Sequence, residues 1–374
     1  MRIALACLVP WIACCVPSAA QDRPASQGKS EVYKLEVKKA RPIEAVLTQD
    51  YRLLRPVEAL ILFIPRAPEL PGQTDVKTTL DPNGVDGNEL SPLRRPIAST
   101  KVTFDQLKDN LLPIRVRVKA TLVARELVTV TSRGQAPPVA PLKKPDRQAA
   151  LYPSAMFDFQ SAEVKRWMKA NSLSRGKTEA EIDFARRVYT AIVKKYSHGY
   201  MKENTIIWQS DPAKREISID QWRASLVSTK KEAHSAGLSV LFVSALRANN
   251  VPARILLGQW TDNKKAAFRG DRPFYHVKAE FFAENVGWVP VDLGSAVQAT
   301  KERDGMAYFG KDPGDFLCLH VDAELVIETP VIKVPAPFLP YVGMTIGRVG
   351  GGIPASPKSI FQTVELSWRF RDVE

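Results

Sequence analysis

The segment KEAHSAGLSVLFVSALRANNVPARILLG, residues 231–258, decides the fold. Its middle part is apolar at almost every position, whereas a surface helix keeps a polar stripe that faces water. We therefore predict a helix that is buried nearly all round. Asn249, Asn250 and Pro252 predict its end, because asparagine tolerates the left-handed conformation that often closes a helix and proline cannot continue one. The residues from Arg254 to Trp260 then predict a strand.

Different patterns lie on the two sides of this segment. Upstream, EAEIDFARRVYTAIVKKY (179–196) repeats apolar residues at helical spacing with charges between them. Downstream, residues 274–282 and 288–292 predict two strands, and AENVG (283–287) predicts the turn that joins them. The region 151–314 is therefore predicted to combine helices with an antiparallel sheet, which is an α+β fold.

Residues 21–131 carry the signals of a separate β domain. The sequence of 114–122 alternates apolar and polar residues, as in a strand with one wet face, and 59–64 is a continuous apolar run that suits a buried strand. DPNG (81–84) and DGN (86–88) predict turns. Several short strands separated by turns predict a β-sandwich.

Two further regions complete the predicted domain organisation. Residues 132–150 are rich in proline and predict an inter-domain linker, because proline cannot join the interior of a sheet. Residues 315–374 combine short strand-like runs with many prolines and glycines. They predict a β-rich C-terminal extension.

The first 20 residues predict a signal peptide, with Arg2 at the start, an apolar run after it, and the small residues Ser18 to Ala20 at the cleavage site. The apolar run is too short to span a bilayer comfortably. We expect export to the periplasm or the cell exterior, and no later segment is apolar enough to cross a membrane. Acylation of Cys14 or Cys15 would give a lipoprotein instead, but the residues before them fit a lipidation site poorly.

Composition limits the possible ligands. Cys318 is the one cysteine outside the predicted leader, so we expect no disulfide and no cysteine metal cluster. His234, His198 and His320 have no metal-ligand spacing, and no cofactor is predicted. The net charge of +13 favours contact with anionic surfaces such as cell-envelope polymers. Because the basic residues are spread along the sequence without a nucleic-acid motif, we prefer a solvated basic surface and expect no specific nucleic-acid binding.

The two strands after the buried helix allow a geometric inference. If the hairpin turns near Glu284, antiparallel pairing sets His276 directly opposite Asp292, with the Cβ atoms about 5 Å apart on one face. A carboxylate in that place fixes the imidazole tautomer and stabilises the imidazolium. The same pair would also form merely to satisfy two polar groups in a sheet, so both interpretations stay open.

Three segments together resemble the core of bacterial transglutaminase-like domains: LFVSALRANNVPARILLG, FYHVKAEFF and GWVPVD. The family pattern is a helix that reads roughly GxC followed by LFVALLRAxGIPAR, then HVWxE, then GWxxVD. ARRVYTAIVKKY is similar to the family's first helix, and ILFIPRAPELPGQ…DPNGVDGNEL resembles the β domain that often precedes it. The resemblance implies a papain-like transglutaminase core after an N-terminal β-sandwich, with protein or peptide as the substrate or ligand.

The resemblance implies site residues position by position. His276 matches the family's catalytic histidine, Asp292 matches its aspartate, and the position of the nucleophilic cysteine falls on Ser235. The preceding glycine position falls on Ala233, and two further departures are HVK for HVW and asparagine for the glycine of GIPAR. Cys318 is a poor substitute for the missing thiol, because it lies after the hairpin on a predicted strand.

The missing thiol changes the expected chemistry. A helix N-terminus and a nearby imidazolium generate a thiolate from cysteine, but a serine hydroxyl is far too basic to form a standing alkoxide there. We therefore expect a pseudoenzyme that binds peptide or cell-envelope polymer. One alternative is a peptidase, amidase or acyl-transfer enzyme in which His276 takes the proton of Ser235 during attack. Another is a purely structural role, in which Ser235 only caps its helix.

Overall fold

The computed structural model describes residues 32–56, 59–103, 105, 107–130, 139–198, 223–262, 275–299, 305–328, 333–336, 339, 343–346 and 361–373. The predicted signal peptide (1–20) lies outside these residues, as does the first part of the predicted linker, 132–138. Within the described part of the chain, no helix has the length and apolar character needed to cross a membrane.

Two antiparallel sheets build the N-terminal unit. The first contains β1 (Val32–Leu53), β3 (Gln73–Asp81), β6 (Leu111–Val130), β12 (Lys311–Asp312) and β17 (Phe361–Asp372). Their order is β12-β6-β1-β17, and β3 also pairs with β6. The second sheet contains β2 (Ala59–Pro65), β4 (Val85–Asn88), β5 (Pro96–Thr103) and β16 (Gly343–Ile346), in the order β16-β2-β5-β4.

One apolar core lies between these two sheets. On β6, Ile114, Val116 and Val118 are buried in it, and the basic residues between them lie on the opposite face. Leu60 and Leu62 of β2 belong to the same buried cluster. The sheets therefore pack face to face as a β-sandwich, and the alternation in the sequence of β6 is that of a strand with one wet face, as predicted.

The strands after residue 315 join both units of the protein. β13 (Phe316–Val321) extends the sheet of the core, and β14 (Leu325–Glu328) pairs with β15 (Lys333–Ala336). β16 and β17 complete the sandwich, and β17 pairs with β1 from Leu53↔Phe361 to Ile43↔Asp372. The sandwich is thus built from sequence at both ends of the described chain.

The core unit combines helices with a four-stranded sheet. Its helices are α1 (Lys144–Ala149), α2 (Ala162–Ala170), α3 (Glu181–Lys195), α4 (Ala224–Ser228), α5 (Ser235–Ala248) and α6 (Leu293–Gln298). Its sheet has the order β11-β10-β9-β13, with β9 (Ala253–Trp260), β10 (His276–Ala283) and β11 (Gly287–Val291), and β7 (Ser197–His198) pairs with β8 (Glu232–Ala233). α1 lies inside the predicted linker, where Pro145 is tolerated because it falls in the first turn.

α5 is the buried helix that the sequence predicts. Every residue from Ser235 to Arg247 is buried, and Phe242 meets Phe281 of β10 edge to face, with ring centroids 6.4 Å apart. Each such fully buried apolar side chain contributes about 1.5–3 kcal/mol relative to an exposed one. Asn250 follows the helix with φ +59°, so the position at which the family pattern has glycine requires the left-handed conformation that asparagine can also adopt.

Candidate active site

The hairpin β10–β11 forms as predicted, but its register differs from the predicted one. The pairs run from Ala283↔Gly287 to Ala279↔Val291, so the turn centres on Asn285, which has φ +63°. Continuing this register sets Asp292 opposite Lys278, and the predicted direct opposition of Asp292 and His276 is wrong. Because the shift is by two residues, it does not change the face on which either side chain lies.

His276 and Asp292 are nevertheless in contact. His276 Nε2 lies 2.9 Å from Asp292 Oδ1, and both side chains are buried. Asp292 also caps α6, where it accepts hydrogen bonds from Ser295 N at 2.9 Å and Ser295 Oγ at 2.8 Å. Burial acts to raise the pKa of Asp292, but the His276 ring, the Lys278 charge and these hydrogen bonds outweigh burial and hold that pKa well below its usual range. The aspartate is therefore a fixed anion.

Ser235 is the first residue of α5, and it is 7% exposed. The helix cap is not Ser235 but His234, whose Nδ1 accepts hydrogen bonds from Ala236 N at 3.2 Å and Gly237 N at 3.4 Å. The predicted alternative role of Ser235 as a cap is therefore wrong. Burial, with a smaller contribution from the charge of His198, lowers the pKa of His234, which keeps the imidazole neutral and able to accept these bonds.

Gly294 brings Ser235 and His276 together. A Cβ atom added at Gly294 would lie 2.7 Å from Ser235 Cβ and 3.0 Å from His276 Cε1. The serine and the imidazole therefore flank one point in space, and the backbone of Gly294 lies next to it. The structure thus gathers the three residues that the resemblance implies, Ser235, His276 and Asp292.

The serine and the imidazole are adjacent without a hydrogen bond between them. Among the residues that the structure describes, none forms a hydrogen bond with the Ser235 hydroxyl or with His276 Nδ1. Because the Asp292 carboxylate accepts at Nε2, the neutral ring carries its proton there and leaves Nδ1 as an acceptor. The site therefore contains a histidine base that Asp292 orients but that forms no hydrogen bond with Ser235.

Replacing Gly294 with alanine is expected to destabilise the protein, although alanine is the better helix former. The added methyl group has to displace Ser235 and His276, at a cost of about 1–3 kcal/mol. Urea unfolding measures this change. Gly87→Ala is the matched control, because nothing lies within 4 Å of a Cβ atom at Gly87. Equal stability of the two variants would show that the serine and the imidazole are not held together at Gly294.

Aromatic rings form one wall beside His276. Trp260 stacks on its ring with centroids 4.4 Å apart, and Phe316 meets it edge on at 6.0 Å. Lys278 Nζ lies 4.7 Å from the centre of the Trp260 ring and 4.8 Å from that of Phe316. The sequence gives no sign of this wall, because its members come from strands β9, β10 and β13.

A row of buried charges runs from this wall to the sandwich. Lys278 Nζ lies 3.3 Å from Asp312 Oδ1, and Asp312 Oδ2 lies 3.6 Å from Arg125 Nη2. Glu280, which is fully buried, accepts hydrogen bonds from Arg125 at 2.7 Å and from Arg254 at 2.7 and 3.0 Å. Arg125 belongs to β6, so this charged row ties the sandwich to the strand that carries His276.

Cys318 and His320 lie on β13 and are buried away from solvent. Burial raises the pKa of the Cys318 thiol, which leaves it protonated and unreactive. Its sulfur donates to the carbonyl of His320 at 3.4 Å. Within the described residues, no group of three or more histidine, cysteine, aspartate or glutamate side chains is placed to hold a metal ion.

Buried His320 makes stability depend on pH. Burial, with the nearby Arg95 charge, lowers the pKa of His320 to about 3, and its Nε2 accepts a hydrogen bond from Leu339 N at 3.1 Å. The unfolded chain takes up this proton near pH 6.5, so the stabilisation is complete above about pH 6.5 and falls at lower pH by about 1.4 kcal/mol per pH unit, down to about pH 3.

Replacing His320 with glutamine, whose amide can also donate and accept, is expected to remove this contribution. Between about pH 6.5 and 4.5, the loss of unfolding free energy should be about 2 kcal/mol smaller in His320→Gln than in the unmodified chain. Urea unfolding at several pH values tests this. His234 contributes in the same direction, so some dependence remains, but an unchanged slope in His320→Gln would contradict the prediction.

Comparison with known proteins identifies one part of the chain. Residues 168–293 match the family model described as the Transglutaminase-like superfamily. The chain therefore carries a transglutaminase-like domain. No curated protein sequence matches the chain.

Three solved structures are similar to the chain to different degrees. A candidate cysteine protease from Cytophaga hutchinsonii is 12% identical, with a TM-score of 0.52, over 92% of this chain and 93% of that one. The periplasmic domain of TgpA from Pseudomonas aeruginosa is 13% identical, with a TM-score of 0.31, over 71% of this chain and 88% of that one. Red sea bream transglutaminase is 10% identical, with a TM-score of 0.29, over 71% of this chain and 52% of that one. The first of these confirms the predicted α+β fold with its β-rich N-terminal region, and the other two are too dissimilar in shape to add to it.

Proposed function

We propose that this protein is an exported, catalytically impaired member of the transglutaminase-like class that binds a polypeptide segment at Ser235 and His276. One observation carries the proposal. The helix start that faces the histidine bears a hydroxyl, and that hydroxyl forms no hydrogen bond with the imidazole. The site thus brings a serine beside a histidine without an activated nucleophile.

The electrostatics of the helix start support impaired catalysis. The positive end of a helix and a neighbouring imidazolium stabilise a thiolate readily, but a hydroxyl needs its proton removed during the attack itself. Attack on a carbonyl also needs donors for the oxyanion. Two donors at the start of α5, Ala236 N and Gly237 N, already bind His234 Nδ1.

The persistence of His276 and Asp292 has a structural explanation that does not require catalysis. Asp292 caps α6 through Ser295, and His276 fills the space between Asp292 and the Trp260 ring. Removing the Asp292 side chain would leave His276 Nε2 without its buried partner, at a cost of about 1–3 kcal/mol. The pair therefore stabilises the hairpin whether or not it handles protons.

A binding experiment tests the proposal. Fluorescein-labelled peptides from a casein digest are mixed with the protein, and fluorescence anisotropy reports binding. Gly294→Ala, first shown to be folded by circular dichroism, adds a methyl group between Ser235 and His276 and should weaken binding at least tenfold, whereas Gly87→Ala should leave it unchanged. Equal binding by the two variants would place the polypeptide elsewhere. Binding of glycan polymer but not of peptide would replace the ligand class with a cell-envelope polymer.

A serine hydrolase is the second candidate function, and a specific observation favours it. Ser235, His276 and Asp292 lie together, and His276 Nδ1 is left as an acceptor on the ring that Asp292 orients. Such an enzyme would react with a fluorophosphonate at Ser235, because the reagent captures any serine that a base activates. Labelling that disappears in Ser235→Ala would show that Ser235 is an activated nucleophile. It would overturn the proposal of impaired catalysis in favour of a serine hydrolase.

Export is the part of the proposal that depends on the predicted signal peptide alone. The full chain, expressed in a bacterial host, is expected in the periplasm or the medium as a product that begins near residue 21. Fractionation and N-terminal sequencing test this, with a variant that lacks residues 2–20 as the control. An uncleaved product that remains with the cytoplasm would contradict export.

A further inference from the structure

The outer face of the first sheet of the sandwich gathers basic side chains. On β6, Val116 and Val118 point into the core, so Arg117 and Lys119 point outward. On β17, Trp368 and Phe370 pack against the same core. The residues on either side of Phe370, which are Arg369 and Arg371, therefore also point outward.

The strand register places these cations in two neighbouring rows. In the first row, Glu44 pairs with Lys119 on one side and with Arg371 on the other, and Lys119 pairs with Lys77. Neighbouring strands are about 5 Å apart. A second row, two residues further along each strand, therefore lies about 7 Å from the first row.

The second row continues the positive charge. Val46 pairs with Arg117 on β6 and with Arg369 on β17. We name these five residues the basic face: Lys77, Arg117, Lys119, Arg369 and Arg371. They come from three separate parts of the sequence, which explains why the basic residues seem dispersed along the chain.

A buried carboxylate holds part of the basic face in place. Glu44 lies beneath it and is 2% exposed. Its Oε1 forms an ion pair with Arg117 Nη1 at 2.8 Å, and its Oε2 accepts a hydrogen bond from Arg371 Nε at 2.7 Å. The two guanidinium groups are thereby fixed in position while their side chains remain 55% and 72% exposed. In the part of the chain that the structure describes, Lys77 and Lys119 have no acidic partner within ion-pair distance, and Arg369 has only Glu365 at 3.9 Å.

We propose that the basic face binds a linear polyol- or sugar-phosphate polymer. Guanidinium and ammonium groups in two rows suit the successive phosphates of a polymer. A guanidinium can donate two hydrogen bonds to one phosphate, and an ammonium group pairs with a phosphate through its charge. A flat face cannot enclose a small anion, so affinity has to come from several contacts made along one chain. The inference is independent of the function proposed for the site at Ser235 and His276.

Other partners fit the same face less well. Bases of single-stranded nucleic acid need aromatic platforms for stacking, and the aromatic residues of β17 beside Arg369 and Arg371, which are Trp368 and Phe370, face the core. A membrane surface would favour apolar side chains that insert between lipids, and a protein partner would favour an apolar centre. Val46 is the one apolar residue in the two rows and is only partly exposed.

A charge-matched pair of variants tests the proposal on the full chain. Lys77→Gln, Lys119→Gln and Arg369→Gln together remove three cations of the basic face and leave both partners of Glu44 intact. The control carries Lys165→Gln, Arg166→Gln and Lys169→Gln on α2. It removes the same charge from exposed positions, and Arg166 has a weak acidic partner as Arg369 has.

Binding to a linear polyphosphate is measured over a range of salt concentrations. Polyphosphate affinity should fall at least tenfold in the basic-face variant at about 0.1 M salt, and the slope of log affinity against log salt should fall by about 2. The control should change affinity less than threefold. Equal losses in the two triple variants would mean that only net charge acts, and this would overturn the proposal.

Three further probes distinguish the source of the phosphate. Inorganic phosphate alone, oligothymidylate and phosphatidylglycerol vesicles should each bind more weakly than the polymer. Tighter binding of oligothymidylate would point to nucleic acid, and tighter binding of vesicles would point to a lipid surface. Either result, if it were lost in the basic-face variant and not in the control, would overturn the proposed ligand.

Discussion

Ser235→Cys is expected to give a thiol that iodoacetamide alkylates at least about 100-fold faster than Cys318. The new thiol would lie at the start of α5 and beside the His276 ring, and both features stabilise a thiolate. Cys318 is 2% exposed, and burial raises the pKa of its thiol. The size of the difference reflects the steep dependence of alkylation on thiolate population and access.

Time-resolved alkylation near pH 7 followed by peptide mapping measures the two rates in one sample. Ser235→Cys combined with His276→Ala is the control, because it keeps the helix start and removes the imidazole. The double variant should react at least tenfold more slowly than Ser235→Cys. A cysteine at position 235 that reacts no faster than Cys318 would contradict the assignment of this helix start to the site.

Glu280→Gln is expected to reduce the free energy of unfolding by about 3–5 kcal/mol. Glu280 is fully buried and binds both Arg125 and Arg254. A neutral amide would leave two guanidinium groups without their shared carboxylate, and breaking a buried ion pair from one side costs this much. Urea unfolding measures the loss.

Two comparisons show whether the loss comes from the buried charge. Glu163→Gln removes an exposed partner of Arg166, with side chains 38% and 75% exposed, and should cost less than about 1 kcal/mol. Glu280→Gln combined with Arg125→Met should recover part of the stability, because it also removes one of the unpaired cations. A loss below about 1 kcal/mol in Glu280→Gln would mean that the charged row does not stabilise the contact between the units.

The helices and strands of the core could be predicted because their signals are local. The apolar run of α5 has no polar face, which only a buried helix tolerates. The sequence predicts the hairpin but not its register. The turn centres on Asn285, one residue after the predicted centre at Glu284, and each pairing partner is therefore shifted by two residues. His276 and Asp292 still meet, since an even shift preserves the face.

The features of the site that could not be predicted from the sequence depend on three-dimensional contacts between distant residues. A histidine cap at His234 has no strong sequence signature, because Ser, Thr, Asp and Asn are the usual caps. The importance of Gly294 is visible only from what an added methyl group would touch. Arg125 lies on the sandwich and Glu280 in the core, and no local pattern links residues so far apart in sequence.

The pairing of β17 with β1 has a consequence for how the protein is made. A ribosome delivers residues 43–53 long before residues 361–372, yet the two segments lie side by side in the finished sheet. One edge of β1 is therefore unpaired until β17 has been synthesised, and an unpaired strand edge can pair with other nascent chains. This sheet is therefore completed late in synthesis, and a chain without residues 361–372 would keep that edge of β1 unpaired and be prone to aggregate.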